Sequence, residues 1–145
     1  MATNRSQAVE LLLFNMGFLY RLLRWEARHH GIRWSGLMVL KDLSLLGPLS
    51  QRELADIEQV RPATLSLLVK ELLTEGLVSR EADTNDRRAV KVSITSAGKD
   101  RLERDGARLA QTLEKILQPL DEGNLSELVR GEQHLVRILR QQLPA

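Results

Sequence analysis

The chain of 145 residues contains no cysteine, which excludes disulfides and thiol-based redox sensing. Aromatic residues make up 3% of it, so its core has to be aliphatic, with leucine foremost. No apolar run approaches the ~20 residues that a membrane helix needs. The polar opening MATNRSQAVE leads into an amphipathic stretch broken by Arg21 and Arg24, which reads as neither a signal peptide nor a span. A cytoplasmic location is the expectation. Catalytic signatures are missing as well. There is no thiol nucleophile, no G-x-S-x-G elbow, no glycine-rich phosphate loop and no acid/base pair, so an enzyme is not expected. The histidines are His29, His30 and His134. His29 and His30 are adjacent and diverge by about 100° on a helix, which suits one tetrahedral ion poorly. Neither metal nor cofactor is expected.

A large excess of either charge is also lacking, the net being +2. Residues 1–49 hold 6 basic and 3 acidic residues, residues 50–94 hold 7 and 8, and residues 95–145 hold 8 and 8. A nucleic-acid partner would therefore be held by the placement of charge on one face of the middle segment, not by bulk positive charge. What is present, 43% hydrophobic and 28% charged residues, is the composition of an ordinary globular domain.

Apolar residues at spacings of three and four mark a first helix from about Ser6 to His30, through Val9, Leu12, Leu13, Met16, Leu19, Tyr20 and Leu23, stopped by Gly31. A second carries Leu37, Leu40, Leu43 and Leu46 and closes at Gly47-Pro48. Ser50 with Glu53 has capping-box spacing and opens a short helix over about Gln51–Glu58. Arg61-Pro62-Ala63-Thr64 opens another, with proline where its missing N–H costs nothing, turning Leu65, Leu68, Val69, Leu72 and Leu73 inward and stopping at Gly76. Two strand-like pieces follow, Leu77–Arg80 and Ala89–Ile94, with Asp83–Arg88 between them. Thr95 or Ser96 caps a long helix from about Ala97 to Leu120. Asn124 with Glu127 repeats the capping-box spacing and opens a last helix through Leu128, Leu135, Ile138, Leu139 and Leu143.

Two short helices joined by a tight turn and followed by a hairpin make a winged helix-turn-helix. The fold class is mainly α with a small β-hairpin wing, a single domain over 1–145. Its winged lobe spans 35–95, with helices at 5–30 and 97–143 on either side. The recognition helix is about Arg61–Glu75 and the wing about Arg80–Lys91. In such a fold the second helix enters the major groove by its N-terminal end. That end offers Arg61, Pro62, Ala63, Thr64 and Ser66, with Lys70 a turn further on. Small and hydroxyl residues permit close approach to base edges, and an arginine can reach a guanine or a phosphate. The bland reading of the same residues is a solvated helix surface. Arg87 and Arg88 at the wing tip can place a guanidinium in a neighbouring minor groove. Asp86 fits there by fixing an arginine in a carboxylate–guanidinium fork.

Residues Leu49 to Lys99 resemble the core of the MarR (multiple antibiotic resistance regulator) family. The likeness rests on "ELA" in the first short helix, "TLSLLVKEL" leading into "GLVSR", then "DRR" and "IT-x-x-G". The family's Asp-x-Arg wing motif falls on Asp86 and Arg88. The resemblance implies a homodimer with interlocked first and last helices on a pseudo-palindromic double-stranded DNA operator. It implies that Arg88 enters the minor groove, that Asp86 supports the wing, and that Arg80 occupies a commonly basic position. The apolar faces of the outer helices, wider than the middle segment can cover, independently favour a dimer.

Such regulators often answer to small phenolic or anionic ligands, which points to Arg21, Arg24, Trp25, Arg28, His30 and Trp34. The three arginines fall at i, i+3 and i+7 on one helix face. They equally fit a solvated basic stripe with tryptophans filling the core. The function expected is a transcription regulator, a repressor relieved by a small-molecule ligand. The rival from another class is a winged-helix module for protein assembly.

Overall fold

A computed structural model describes residues 4–86 and 89–142. Within them the order is α1 (Arg5–His29), α2 (Trp34–Leu46), β1 (Leu49–Ser50), α3 (Gln51–Glu58), α4 (Pro62–Thr74), β2 (Val78–Ala82), β3 (Val90–Ile94), α5 (Ser96–Leu117) and α6 (Glu122–Gln142). The three strands form one antiparallel sheet in the order β1-β3-β2. This is the mainly α fold with a small wing that the sequence pattern implies. β1 was not anticipated: two residues carry no periodicity, and only pairing of Leu49 with Val92 and Ser50 with Lys91 makes them a strand.

Local chemistry sets the boundaries. Asn4 and Gln7 cap α1 reciprocally, and Ser50 and Glu53 do the same for α3. Pro62 holds the first position of α4, and Gly31, Gly47 and Gly76 sit at positive φ just past α1, α2 and α4, where a side chain would be strained. The last helix begins differently from the expected Asn124–Glu127 box. Asp121 caps it, accepting the backbone N–H of Asn124 at 2.8 Å and its side-chain amide at 2.9 Å. Asp121 stands where the chain turns into the helix, so Asn124 already lies inside the first turn. The preceding helix ends at Leu117, earlier than Leu120.

One aliphatic core holds the lobe together. Val39, Leu40 and Leu43 of α2, Leu54 of α3, Leu65 and Val69 of α4 and Val92 of β3 are its largest fully buried side chains. A second, smaller cluster of Ala27, Ile32, Leu37 and Leu109 ties α1, α2 and α5 together. Beyond it α1 and α6 stand clear. α6 has no buried residue, while Val9, Leu12, Phe14, Leu19, Leu128 and Leu139 are exposed.

The "IT-x-x-G" stretch welds the base of the wing to α5. Thr95 donates its hydroxyl to the Gly76 carbonyl at 2.7 Å and accepts the Gly98 N–H at 3.0 Å. Its own backbone N–H bonds to the Leu77 carbonyl. Gly98 then packs so closely that a Cβ there would sit 2.1 Å from the Leu77 oxygen and 2.7 Å from Ile94 Cγ1.

Glu58 closes α3 against α2. Burial, followed by a hydrogen bond to Asp42 and the charge of that carboxylate, pushes the Glu58 carboxyl from 4.5 up to about 8. The folded value lies above the unfolded one, so the fold favours the protonated acid. That contribution is complete below about pH 4.5 and is lost as pH rises through about 8.

Two outcomes are expected. Gly98→Ala meets a backbone oxygen that cannot swing aside, so it destabilises by about 3 kcal/mol. Thermal denaturation would show this as a melting point lower by roughly 10 °C. In Glu58→Gln the amide cannot ionise, so melting curves at pH 6 and pH 9 should show the wild type losing stability with pH while the variant does not. An equal loss in both would remove Glu58 as the cause.

Candidate nucleic-acid interface

α3 and α4 meet through a tight turn in which Gln59 adopts the left-handed conformation (φ 53°, ψ 43°). The Val60 N–H bonds back to the Ala55 carbonyl. The turn delivers Arg61 as the residue before α4, extended and with no side-chain capping bond. Leu65, Leu68, Val69 and Leu72 are buried, whereas Arg61, Pro62, Ala63, Thr64, Ser66 and Lys70 are all exposed. The six residues singled out on this helix therefore share its solvent side. Leu67 shares it too, 66% exposed. It was overlooked as one leucine among many, although the inward rhythm of threes and fours steps over it.

Charge on α4 is sorted by direction. Its two acids, Glu71 and Glu75, pair with Arg33 at the start of α2 and with Arg101 of α5, the latter at 3.3 Å. Both acids are thus turned toward the neighbouring helices, and Arg61 and Lys70 are left to set the sign of the outer face. Glu53 is held in its capping box, and burial beside Asp42 shifts Glu58 toward its protonated form. These contacts occupy four of the eight acids of residues 50–94; Asp56, Glu81 and Asp86 are exposed.

The wing is a hairpin in register from Val78↔Ile94 to Ala82↔Val90. Its loop is closed at the base by the Asp83 N–H to the Ala89 carbonyl at 2.9 Å. The Asp83 carboxylate accepts the Asn85 N–H and lies 3.9 Å from Lys91 Nζ. The Asp86 carbonyl accepts the Ala89 N–H. Arg80 is exposed on β2, an edge strand. Arg87 and Arg88 lie outside the described residues.

At the other end of the lobe, a cleft of about 450 Å³ opens between α1 and the start of α2, lined by Tyr20, Arg24, Arg28, Arg33 and Trp34 among others. Arg24 lies over the Tyr20 ring, 5.5 Å from its centroid. Three of the six residues considered for a ligand, Arg24, Arg28 and Trp34, come together here. Tyr20 and Arg33 join them unanticipated. Arg21, Trp25 and His30 do not line the cleft. Trp25 stacks on His29 at 3.9 Å between centroids and is 52% exposed, so it fills no core. His30 Nε2 shares a hydrogen bond with Thr112 at 2.9 Å and its carbonyl accepts from Arg108; both bonds fasten α1 to α5. Among the described residues no cluster of metal-ligating side chains occurs, and no helix is long and apolar enough to cross a membrane.

A helix-turn-helix whose second helix presents a polar face beside a two-stranded wing defines the winged helix-turn-helix class. Comparison with known proteins narrows this. The model of the MarR family matches residues 32–90. Bacillus subtilis (strain 168) has similar proteins: the HTH-type transcriptional regulator YwaE is 35% identical over 51% of this chain and 43% of its own length. YdgG is 29% identical over 83% and 80%. The repressor YetL is 42% identical over 38% and 33%. The chain thus spans less than half of YwaE and YetL and most of YdgG. Among solved structures, the transcriptional regulator Tm0710 from Thermotoga maritima is 27% identical, covers 94% of this chain and 96% of its own, and superposes with a TM-score of 0.64. A MepR variant from S. aureus, of the same fold with TM-score 0.58 and 17% identity over 91% of this chain and 97% of its own, was solved bound to an oligodeoxyribonucleotide. The likeness to the MarR family thus covers residues 32–90, which hold the helix-turn-helix and most of the wing. The chain's relatives and its fold are those of transcription regulators and not of enzymes.

Removing the Thr112 hydroxyl should loosen the seat of α1 on α5. Thr112→Val is expected to cost about 1 kcal/mol, read from the denaturation midpoint, and to speed hydrogen exchange in the last turns of α1. Unchanged exchange there would show that the His30 contact carries no load.

Proposed function

We propose that the protein is a homodimeric transcription regulator that binds a pseudo-palindromic operator and represses from it, with a small aromatic or anionic ligand relieving repression. The observation that carries this reading is the sorting of α4: one face apolar and buried, the other small, polar and basic apart from Leu67, with its acids drawn off to Arg33 and Arg101. Small side chains at Ala63, Thr64 and Ser66 let the helix seat deeply in a major groove, while Arg61 and Lys70 meet phosphates. In this reading Arg80, Arg87 and Arg88 of the wing lie against the adjoining backbone and minor groove, and Asp86 orients the reaching arginine. Repression agrees with the role of YetL, a transcriptional repressor, and duplex binding with the MepR complex.

Pairing of two copies is supported by surface area. The chain exposes 11203 Å², where a compact 16.4 kDa monomer exposes roughly 7,500 Å². The excess of several thousand Å² is of the order an obligate interface buries. It falls on α1 and α6, whose apolar faces have nothing in the same chain to cover them. A two-fold pair would set its α4 helices to half-sites roughly 34 Å apart. The basic, aromatic-floored cleft of Tyr20, Arg24, Arg28 and Trp34 has the chemistry for an aromatic anion. Lying beside the α1–α2 junction, it would act by favouring one spacing of the two lobes.

The rival role, protein assembly through the same lobe, draws on the acidic balance of residues 50–94. Salt separates the two. Operator affinity should fall by orders of magnitude between 50 and 200 mM salt as counterions compete, whereas an apolar protein contact would scarcely respond. Arg88→Ala should weaken operator binding by roughly 1–3 kcal/mol in fluorescence anisotropy titrations. Unaltered affinity would take the wing out of the mechanism.

A further inference from the structure

The four buried residues of α4 fix an inward direction. At about 100° per residue, the opposite line runs through Ala63, Leu67, Lys70 and Thr74, all of them exposed. Leu67 is the most exposed large apolar side chain between residues 34 and 95. Its neighbours on that face are short, Ala63 ending at Cβ and Ser66 at a hydroxyl, so Leu67 projects beyond them. It serves no packing within the chain, and glutamine or lysine would suit the helix as well. Nor is it part of a continuous apolar patch of the kind that docks a protein, since Ser66 and Lys70 interrupt the face around it.

In a major groove the apolar feature that base pairs display is the C5-methyl of thymine. We infer that Leu67 reads a thymine methyl in each half-site and so sets the base preference at that position. The inference rests on the DNA-binding role proposed above. Phosphate contacts from Lys70 carry no sequence information, whereas an apolar contact from Leu67 adds a specificity-determining side chain to the outer face. As the sixth residue of α4, about a turn and a half in, Leu67 belongs to the N-terminal half of the helix, whose side chains reach base edges.

The test uses the full-length wild type and Leu67→Ala, each enriching duplexes from a randomised pool at low ionic strength. The best wild-type duplex is then remade with deoxyuridine in place of each thymine in turn, which deletes one methyl and nothing else. One thymine per half-site should emerge whose replacement weakens wild-type binding about fourfold, the worth of one buried methyl, and leaves Leu67→Ala unaffected. Leu67→Met, which keeps an apolar tip, should retain the thymine preference. Both proteins should bind an unselected duplex equally, because that affinity comes from phosphates. Enrichment of one and the same motif by both proteins would overturn the inference, as would equal losses on selected and unselected duplexes. Failure of the wild type to enrich any duplex would instead sink DNA binding itself, and the inference with it.

Discussion

The clamp of aliphatic side chains around one face of α4 is the constraint from which the remaining arrangement follows. Leu65 and Val69 are sealed against Leu40, Leu43, Leu54 and Val92. A helix held so firmly from behind cannot rotate about its axis without exposing leucine, at roughly 1.5–3 kcal/mol for each side chain. Its rotational setting is therefore fixed, and with it the row of side chains turned to solvent. Few aromatics are needed, because α2, α3 and β2 pack against the helix and branched aliphatics fill the space between.

Electrostatics complete what packing begins. Counted along the chain, the middle segment leans acidic. Counted by direction, four of its eight acids are turned toward a neighbour. Glu71 and Glu75 spend their charge on arginines from α2 and α5, Asp83 lies near Lys91, and Glu58 is shifted toward its protonated form beside Asp42. Each of these acids is occupied where it also serves the architecture. Exposed pairs of this kind add little stability; their larger effect is to decide which sign the outer surface shows.

Much of the fold was legible because its signals are short-range. Ser50 with Glu53, Pro62 at the head of α4 and the glycines after α1, α2 and α4 each act within a few residues, so spacing alone reveals them. The same logic misled at Asn124, since two side chains close together could serve as the cap and only the backbone path chooses Asp121. β1 depends on a partner more than forty residues away in the chain. The pairing of Arg33 with Glu71 likewise joins distant segments, and no local pattern announces it. At the interface, sequence order pointed to the residues on the outer side of α4, but the inward-or-outward status of each leucine emerges only from the core. At the cleft, helical spacing grouped Arg21 with Arg24 and Arg28, while the wall is completed by Tyr20 and by Arg33 from beyond the turn.

The junction at Thr95 and Gly98 has a mechanical corollary. Because the first turn of α5 rests on the Leu77 carbonyl with no room for even a methyl group, strand and helix meet as a fixed angle bracket. α5 has 22 residues and so reaches roughly 33 Å from that corner. Shifting its far tip by ~5 Å amounts to a turn of about 9° at the corner, by the same helix dimensions. A tilt imposed at the distant end of the lever is thus felt first at the foot of the β-finger, where Gly98 leaves the Leu77 carbonyl no slack.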